Sequence, residues 1–443
     1  MLYAGFGKTI ITPKVGAALA GFAAREGFCE GVHDELCARS LVIENDGAAI
    51  AFVSLDVLAV SSEFSDRVRE RIQKRTGIDK NAVMIASTHT HAGPVTIKTF
   101  FNPDGSLDSD YMNMLAEAIE NSVAMAWDER FAARVGVGSG CIDGIGVNRR
   151  TPDQKPIDEE IGIIRIDDQS GNLRGALINY ACHPTVLGSN NLLATGDFPH
   201  FTVDKIEREI GGGFAMFVNG TQGNISMGHS SELSAIGVIT PGRTFEHAEE
   251  LGERLANAAL EAIGGIRTDD SAEISTAVSV THFPLKDLPN VETSERNLLD
   301  AERELREIEA NGSSTEKVMR AKSKRLYASI TDYYARDTAK LADGHLPVEL
   351  QAIRINSAMF LAVPAEVFVE IGLSIKQRAS KKTFIVGIAN GYIGYFPTAA
   401  AYPAGGYEVV SSKVAPQSES ILYEEAARIE DRLFGNDGEG QQV

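Results

Sequence analysis

Several things this chain has little of narrow what it can be. It carries only four cysteines in 443 residues, Cys29, Cys37, Cys141 and Cys182, at separations that do not match a metal-binding pattern. No segment with a basic start and an apolar core precedes the first strand-like run, so reduced thiols and a cytoplasmic location are expected. No apolar run reaches the length of a bilayer span, which excludes stable membrane insertion. Basic residues are in deficit, 42 Lys and Arg against 61 Asp and Glu, for a net charge of −19. Binding to DNA, RNA or an anionic lipid surface requires a basic face, so nucleic-acid partners are not expected. Internal repeats and low-complexity linkers are absent too. What remains, 43% hydrophobic and 23% charged residues, is the composition of a globular protein able to bury a large core.

Residues 3–280 alternate strand-like runs with helical periodicity at 62–76, 110–127, 201–210 and 244–262, the pattern of an α/β fold with mixed sheets flanked by helices. Residues 291–341 then turn to Glu, Arg, Lys and Ala, broken at Asn311-Gly312, which reads as a charged helical hairpin inserted into the domain. Such a hairpin is either a solvated spacer or a lid or dimer contact, and a homo-oligomer is left open. Strands resume over 348–391, and a helix follows near 418–433. One domain of residues 1–435 is expected, with 436–443 as a flexible tail. Asp104 to Asp110 has the look of a calcium loop but lacks the spacing and closing Glu of an EF-hand; Asp108 or Ser109 as the N-cap of the next helix explains it better.

The most informative stretch is Thr88-His89-Thr90-His91-Ala92-Gly93-Pro94, which closes an apolar segment. Strand alternation would send both imidazoles to one face, suited to a metal ion or to proton transfer. Four further apolar runs end the same way, in polar turns: at His183-Pro184-Thr185, at 219–226, at Pro364-Ala365-Glu366 and at 390–395. The chain collects strand ends around one site. His200, His229, His247, His282 and His345 have no such setting and read as surface or satisfied core histidines.

Taken in order, these segments resemble the N-terminal catalytic domain of the neutral/alkaline, non-lysosomal ceramidase family of zinc amidases. The likeness also takes in the opening Gly5 to Pro13, Gly31 to Ile43 with His33, Val147-Asn148-Arg149, and Gly394-Tyr395 through Tyr407-Glu408. The resemblance implies Zn²⁺ held by His89, His183, Glu366 and Tyr395, a set that leaves room for water or a substrate carbonyl. It implies His91 as general acid/base or oxyanion donor, and Arg149 and Tyr407 as groups that hold and polarise the substrate. Ser226 falls on a family serine read as a nucleophile or as a group orienting water. Here, though, Asn224 replaces a family Asp and Met227 a family Pro, and Asn cannot act as the base a serine needs; attack by zinc-activated water is therefore expected. Phe198-Pro199 interrupts another family segment, Ala365 replaces a Gly, and residues 398–402 replace a Glu-Glu-Tyr stretch. The family's C-terminal β-sandwich domain is not matched. The implied function is hydrolysis of a linear amide, either a ceramide-like lipid or a smaller soluble amide. A zinc esterase or lactonase, and a non-catalytic metal- or ligand-binding relative, are the rival readings.

Overall fold

A computed structural model describes residues 1–102, 107–151, 153–341 and 343–435. The tail expected over 436–443, and residues 104–106 of the acidic loop, lie outside the described residues. The α/β expectation holds. An eight-stranded mixed sheet runs in the order Phe214–Asn219, Leu173–Tyr180, Glu160–Asp168, Phe131–Cys141, Leu2–Ile10, Cys37–Asn45, Ala48–Leu55, Val83–Ser87. Only the two outermost pairs are parallel, and each needs a helical crossover to bring the chain back. Those crossovers are Ser62–Thr76 and Phe198–Glu209.

The ends of this sheet meet each other. Ser54 Oγ donates to the Phe217 carbonyl (2.5 Å) and Asn219 Nδ2 to the Thr88 carbonyl (3.1 Å). A second sheet of Ile274–Pro284, His345–Ile355, Ala358–Val363 and Lys382–Gly387 packs on the first. Phe52 of the large sheet meets Phe360 edge-on at 5.4 Å, and Phe360 stacks on Phe384 at 5.0 Å. All three are buried, and each such aromatic contributes about 1.5–3 kcal/mol.

The helical hairpin, Val291–Ala310 and Thr315–Thr338, is inserted between the first two strands of the second sheet. Its turn falls at Asn311-Gly312, where Gly312 has φ 60°, the left-handed position that a helix C-terminus favours. Asp108 caps Ser109–Asp128 by accepting from the amides of Asp110 and Tyr111, as the sequence predicts. The helix expected over 201–210 starts earlier, at Phe198, because Asp197 accepts from the Phe198 amide and Pro199 is tolerated in a first turn. All four cysteines are unpaired. Among the described residues no helix is long and apolar enough to cross a membrane.

Candidate metal centre

The strand ends do converge. His89 follows Val83–Ser87, the edge strand of the large sheet, and His183 follows Leu173–Tyr180. Glu366 and Tyr395 sit opposite each other in a short parallel pair, Glu366–Val367 with Tyr395–Phe396. The route to the histidine pair differs from strand alternation. The strand stops at Ser87, and His89 takes a left-handed backbone, φ 69°, held by its amide donating to the Val57 carbonyl at 3.1 Å. A turn, not a pleat, brings His91 beside it. The imidazole centroids lie 4.9 Å apart for His89 and His91 and 5.2 Å for His89 and His183, and one ring nitrogen of each of the three falls within 4.8 Å of the others. Gly21 makes this possible, since a Cβ there would lie 2.5 Å from the Cβ of His91.

The donor set fits a cation. His183 donates Nδ1–H to the carbonyls of Gln222 and Ile225 (2.7 and 2.9 Å), and His89 donates Nδ1–H to that of Leu58 (2.8 Å). Each imidazole then presents an Nε2 lone pair, and both face Glu366 Oε2, at 2.8 Å from His183 and 3.4 Å from His89. A lone pair and a carboxylate oxygen that close repel each other unless a proton or a cation lies between them. Burial pushes His183 down to about 4, so a proton does not fill that role at neutral pH. A backbone carbonyl on Nδ1 is also the usual support of a metal-ligating histidine. Burial works against the ionised Glu366, so a cation shared with the two imidazoles is what would hold its charge.

Around this group, Tyr392 donates to Glu366 Oε1 at 2.5 Å. Tyr395 Oη lies 3.5 Å from His183 Nε2 and accepts from Arg149 Nη2 at 3.0 Å. Arg149 is fixed by the Gly223 carbonyl (2.9 Å) and Glu408 (2.8 Å). Burial alone would lower it, but Tyr395, Glu408 and Glu366 more than offset that and keep the guanidinium charged. Tyr407 packs against Tyr395 at 5.9 Å, with its phenol pushed up by burial. His91 has neither ring nitrogen hydrogen-bonded among the described residues, and burial lowers it well below the ordinary histidine value, so it is a neutral imidazole.

Two small cavities meet here, of about 70 Å³ and 40 Å³, and both are lined by His91, Tyr395 and Tyr407. Ser226 lines neither. It is buried, with Oγ donating to the His229 carbonyl at 3.2 Å. Asn224 is occupied structurally, since its amide donates to Glu370 Oε2 (2.8 Å) and its side-chain oxygen accepts from the Val369 amide (2.9 Å). His33 stacks on Phe245 at 3.8 Å and lines neither cavity. Sequence reasoning gave no role to Tyr392 or to Glu408, which gathers Arg149, Arg150 and Ser231. It set His229 aside as surface or satisfied core, yet His229 lines the smaller cavity with Nε2 buried and without a partner among the described residues. The hairpin gives Tyr333 and Tyr334 to the larger one.

The family described as neutral/alkaline non-lysosomal ceramidase, N-terminal, matches residues 3–226. A neutral ceramidase of Drosophila pseudoobscura pseudoobscura is 24% identical over 98% of this chain and 74% of its own length. One from Pseudomonas aeruginosa is 25% identical over 64% of this chain and 45% of its own. The crystal structure of neutral ceramidase from Pseudomonas aeruginosa superposes with a TM-score of 0.77 at 21% identity, covering 98% of this chain and 75% of that one. A ceramidase structure described as complexed with C2 gives 0.74 at 19% identity, with the same two coverages.

Proposed function

The chain belongs to the neutral/alkaline, non-lysosomal ceramidase family, and on that premise we propose that it is a zinc-dependent hydrolase of linear amide bonds. The observation that carries this reading is the unshielded approach of two imidazole lone pairs to Glu366 Oε2 where two cavities meet. His89, His183, Glu366 and Tyr395 would hold the ion. When bound, zinc supplies Lewis acidity toward a carbonyl and lowers the pKa of water to about 7.

The remaining steps belong to the protein. His91, neutral and with free ring nitrogens, takes the proton of the attacking water and returns it to the leaving nitrogen. Arg149, kept charged beside Tyr395, and Tyr407 donate to the oxygen on which negative charge develops. Ser226 is not the nucleophile: its hydroxyl bonds a backbone carbonyl, and the neighbouring Asn224 is occupied with Glu370. Neither cavity is lined by a run of aliphatic side chains, the larger offering Leu58 among aromatics, which supports a compact amide over a two-tailed lipid.

The test is metal content by mass spectrometry on protein purified without added metal, for wild type, His91→Ala and the His89→Ala/His183→Ala double variant. Hydrolysis of a short-chain ceramide and of soluble N-acyl amides is followed in parallel. About one zinc per chain, lost with turnover in the double variant but retained without turnover in His91→Ala, is the expected result. A wild type that neither contains zinc nor takes it up would refute the reading; loss of zinc in His91→Ala would make that residue a ligand.

A further inference from the structure

The smaller cavity presents positive charge and hydrogen-bond donors in a protein whose net charge is −19. Arg243, half-buried on its wall, forms no ion pair among the described residues. Its nitrogens reach only neutral acceptors: the Thr185 and Leu187 carbonyls (3.4 and 3.0 Å), Thr240 Oγ1 (3.2 Å) and Ser234 Oγ (2.5 Å). Thr240 Oγ1 also lies 2.7 Å from His229 Nδ1. Whichever of Thr240 Oγ1 and Nδ1 donates in that contact, the other ring nitrogen of His229, Nε2, is buried and has no partner among the described residues. Across the cavity stands Arg149, already neutralised by Glu408. Arg243, which meets no carboxylate among the described residues, thus shares this cavity with Arg149 and with the unpartnered Nε2 of His229, a lining suited to an anion.

We infer that the smaller cavity binds a carboxylate carried on the amine side of the scissile amide, which makes the substrates N-acyl amino acids. This rests on the amide-hydrolase reading above. A guanidinium fork matches a planar carboxylate, and a lining of Arg149, Arg243, His229, Ser231 and Ser234 suits that group better than an alkyl tail. The acyl group then lies in the larger cavity, among Phe100, Phe101, Tyr333 and Tyr334, where short or aromatic acyl groups fit. Hydrolysis adds water across the amide: its oxygen bonds to the carbonyl carbon, the carbon–nitrogen bond breaks, and its protons end on the amine and, before ionisation, on the acid. A carboxylic acid and a free amino acid are the products.

The experiment compares kcat/KM for N-benzoylglycine, N-benzoylethanolamine, N-benzoylaminomethylphosphonate and a short-chain ceramide on zinc-loaded protein. Binding of N-benzoylglycine to the metal-free protein is measured alongside by calorimetry. The carboxylate is expected to exceed its neutral ethanolamine counterpart by about 10- to 100-fold, the range of one charge-assisted hydrogen bond. Arg243→Gln should raise KM for the carboxylate and close most of that gap, and should weaken calorimetric binding to match. Should Arg243→Gln fail to fold, His229→Leu tests the same cavity. Equal turnover of the carboxylate and the ethanolamide would overturn the inference and leave the amidase reading standing; a preference for the phosphonate would overturn the carboxylate assignment. Tight, Arg243-dependent binding with no amide turned over would sink the amidase reading and the substrate class together, leaving an anion site.

Discussion

Replacing Gly21 by alanine is the sharpest probe of whether His91 must stand where it does. Gly21 has φ +100°, and a Cβ there would lie 2.5 Å from both Cβ and Cγ of His91 and 2.7 Å from its Cα. Carbon atoms rest at about 3.5–4.0 Å, so the His91 loop must retreat by roughly 1 Å. Two costs add. A left-handed backbone costs an alanine about 1–2 kcal/mol, and overpacking adds about 1–3 kcal/mol, giving a loss of about 2–5 kcal/mol. Misplacing a reacting group by about 1 Å costs roughly 100-fold in rate. Gly16 is the internal control, since it has φ +91° but nothing within 4 Å of its would-be Cβ. Gly16→Ala should therefore show the backbone cost alone. The assay is thermal unfolding and amide turnover on zinc-loaded wild type and both variants. Stability should fall in both and further in Gly21→Ala, with turnover falling only there. Equal turnover in the two variants would show that the position of His91 does not matter to the reaction.

Two further outcomes follow from the neighbourhood of Ser226. Ser226→Ala should lose about 1 kcal/mol of stability, the worth of the bond to the His229 carbonyl, and less than about 10-fold in kcat/KM; a loss on the scale of about 10⁶, as for a true serine nucleophile, would contradict the water mechanism. Asn224→Asp, which restores the family residue, should destabilise by about 1–3 kcal/mol, because it replaces the donor to Glu370 with a second carboxylate. Like charge raises the folded-state pKa of that pair above its unfolded value. The deficit is therefore full above the raised pKa and fades as pH falls through it, so urea unfolding should show a smaller difference from wild type at pH 5 than at pH 8. An identical difference at both would refute the pairing.

What could be read from the sequence were the segments in which an apolar run stops at a polar turn, because both halves of that signal are local. Hence the strand ending at Ser87, the one ending at Tyr180 and the Glu366 segment were all legible, and so was the hairpin, from its charge and its Asn311-Gly312 break. Tyr392 stood inside a legible turn, but nothing local pairs it with Glu366. Arg243 and His229 carry no local signal either: they matter because the loop from Met227 to Thr244 folds over His183, and an arginine reads the same whether or not a carboxylate meets it in space. Tyr333 and Tyr334 were hidden for a related reason, sitting near the end of a helix whose composition is that of a solvated surface, although Tyr334 donates to the Ser411 carbonyl at 3.0 Å and closes the site wall.

The conformation of His89 is the deeper case, because it belongs to a set. Ile388 and Asn390 also have positive φ, 53° and 61°, and for a β-branched residue such as Ile388 that is a genuine outlier. Both lie where the two sheets join. The Ser87 amide donates to the Ile388 carbonyl at 3.1 Å, the Asn390 amide to that of Ile85 at 2.7 Å, and Asn390 Oδ1 accepts from the Ile85 amide at 2.9 Å. The Ile388 amide reaches the Ala365 carbonyl at 3.2 Å, one residue before Glu366. The strained residues thus form the clasp that sets the strand carrying His89 against the segment carrying Glu366. Strain of about 1–3 kcal/mol per residue persists only where surrounding structure fixes it, and here Asn390 is further held by Gln351 at 2.7 Å. A clasp of this kind fixes the distance from His89 to Glu366 before any ion arrives, so the cost of gathering the ligands falls on folding and not on metal binding.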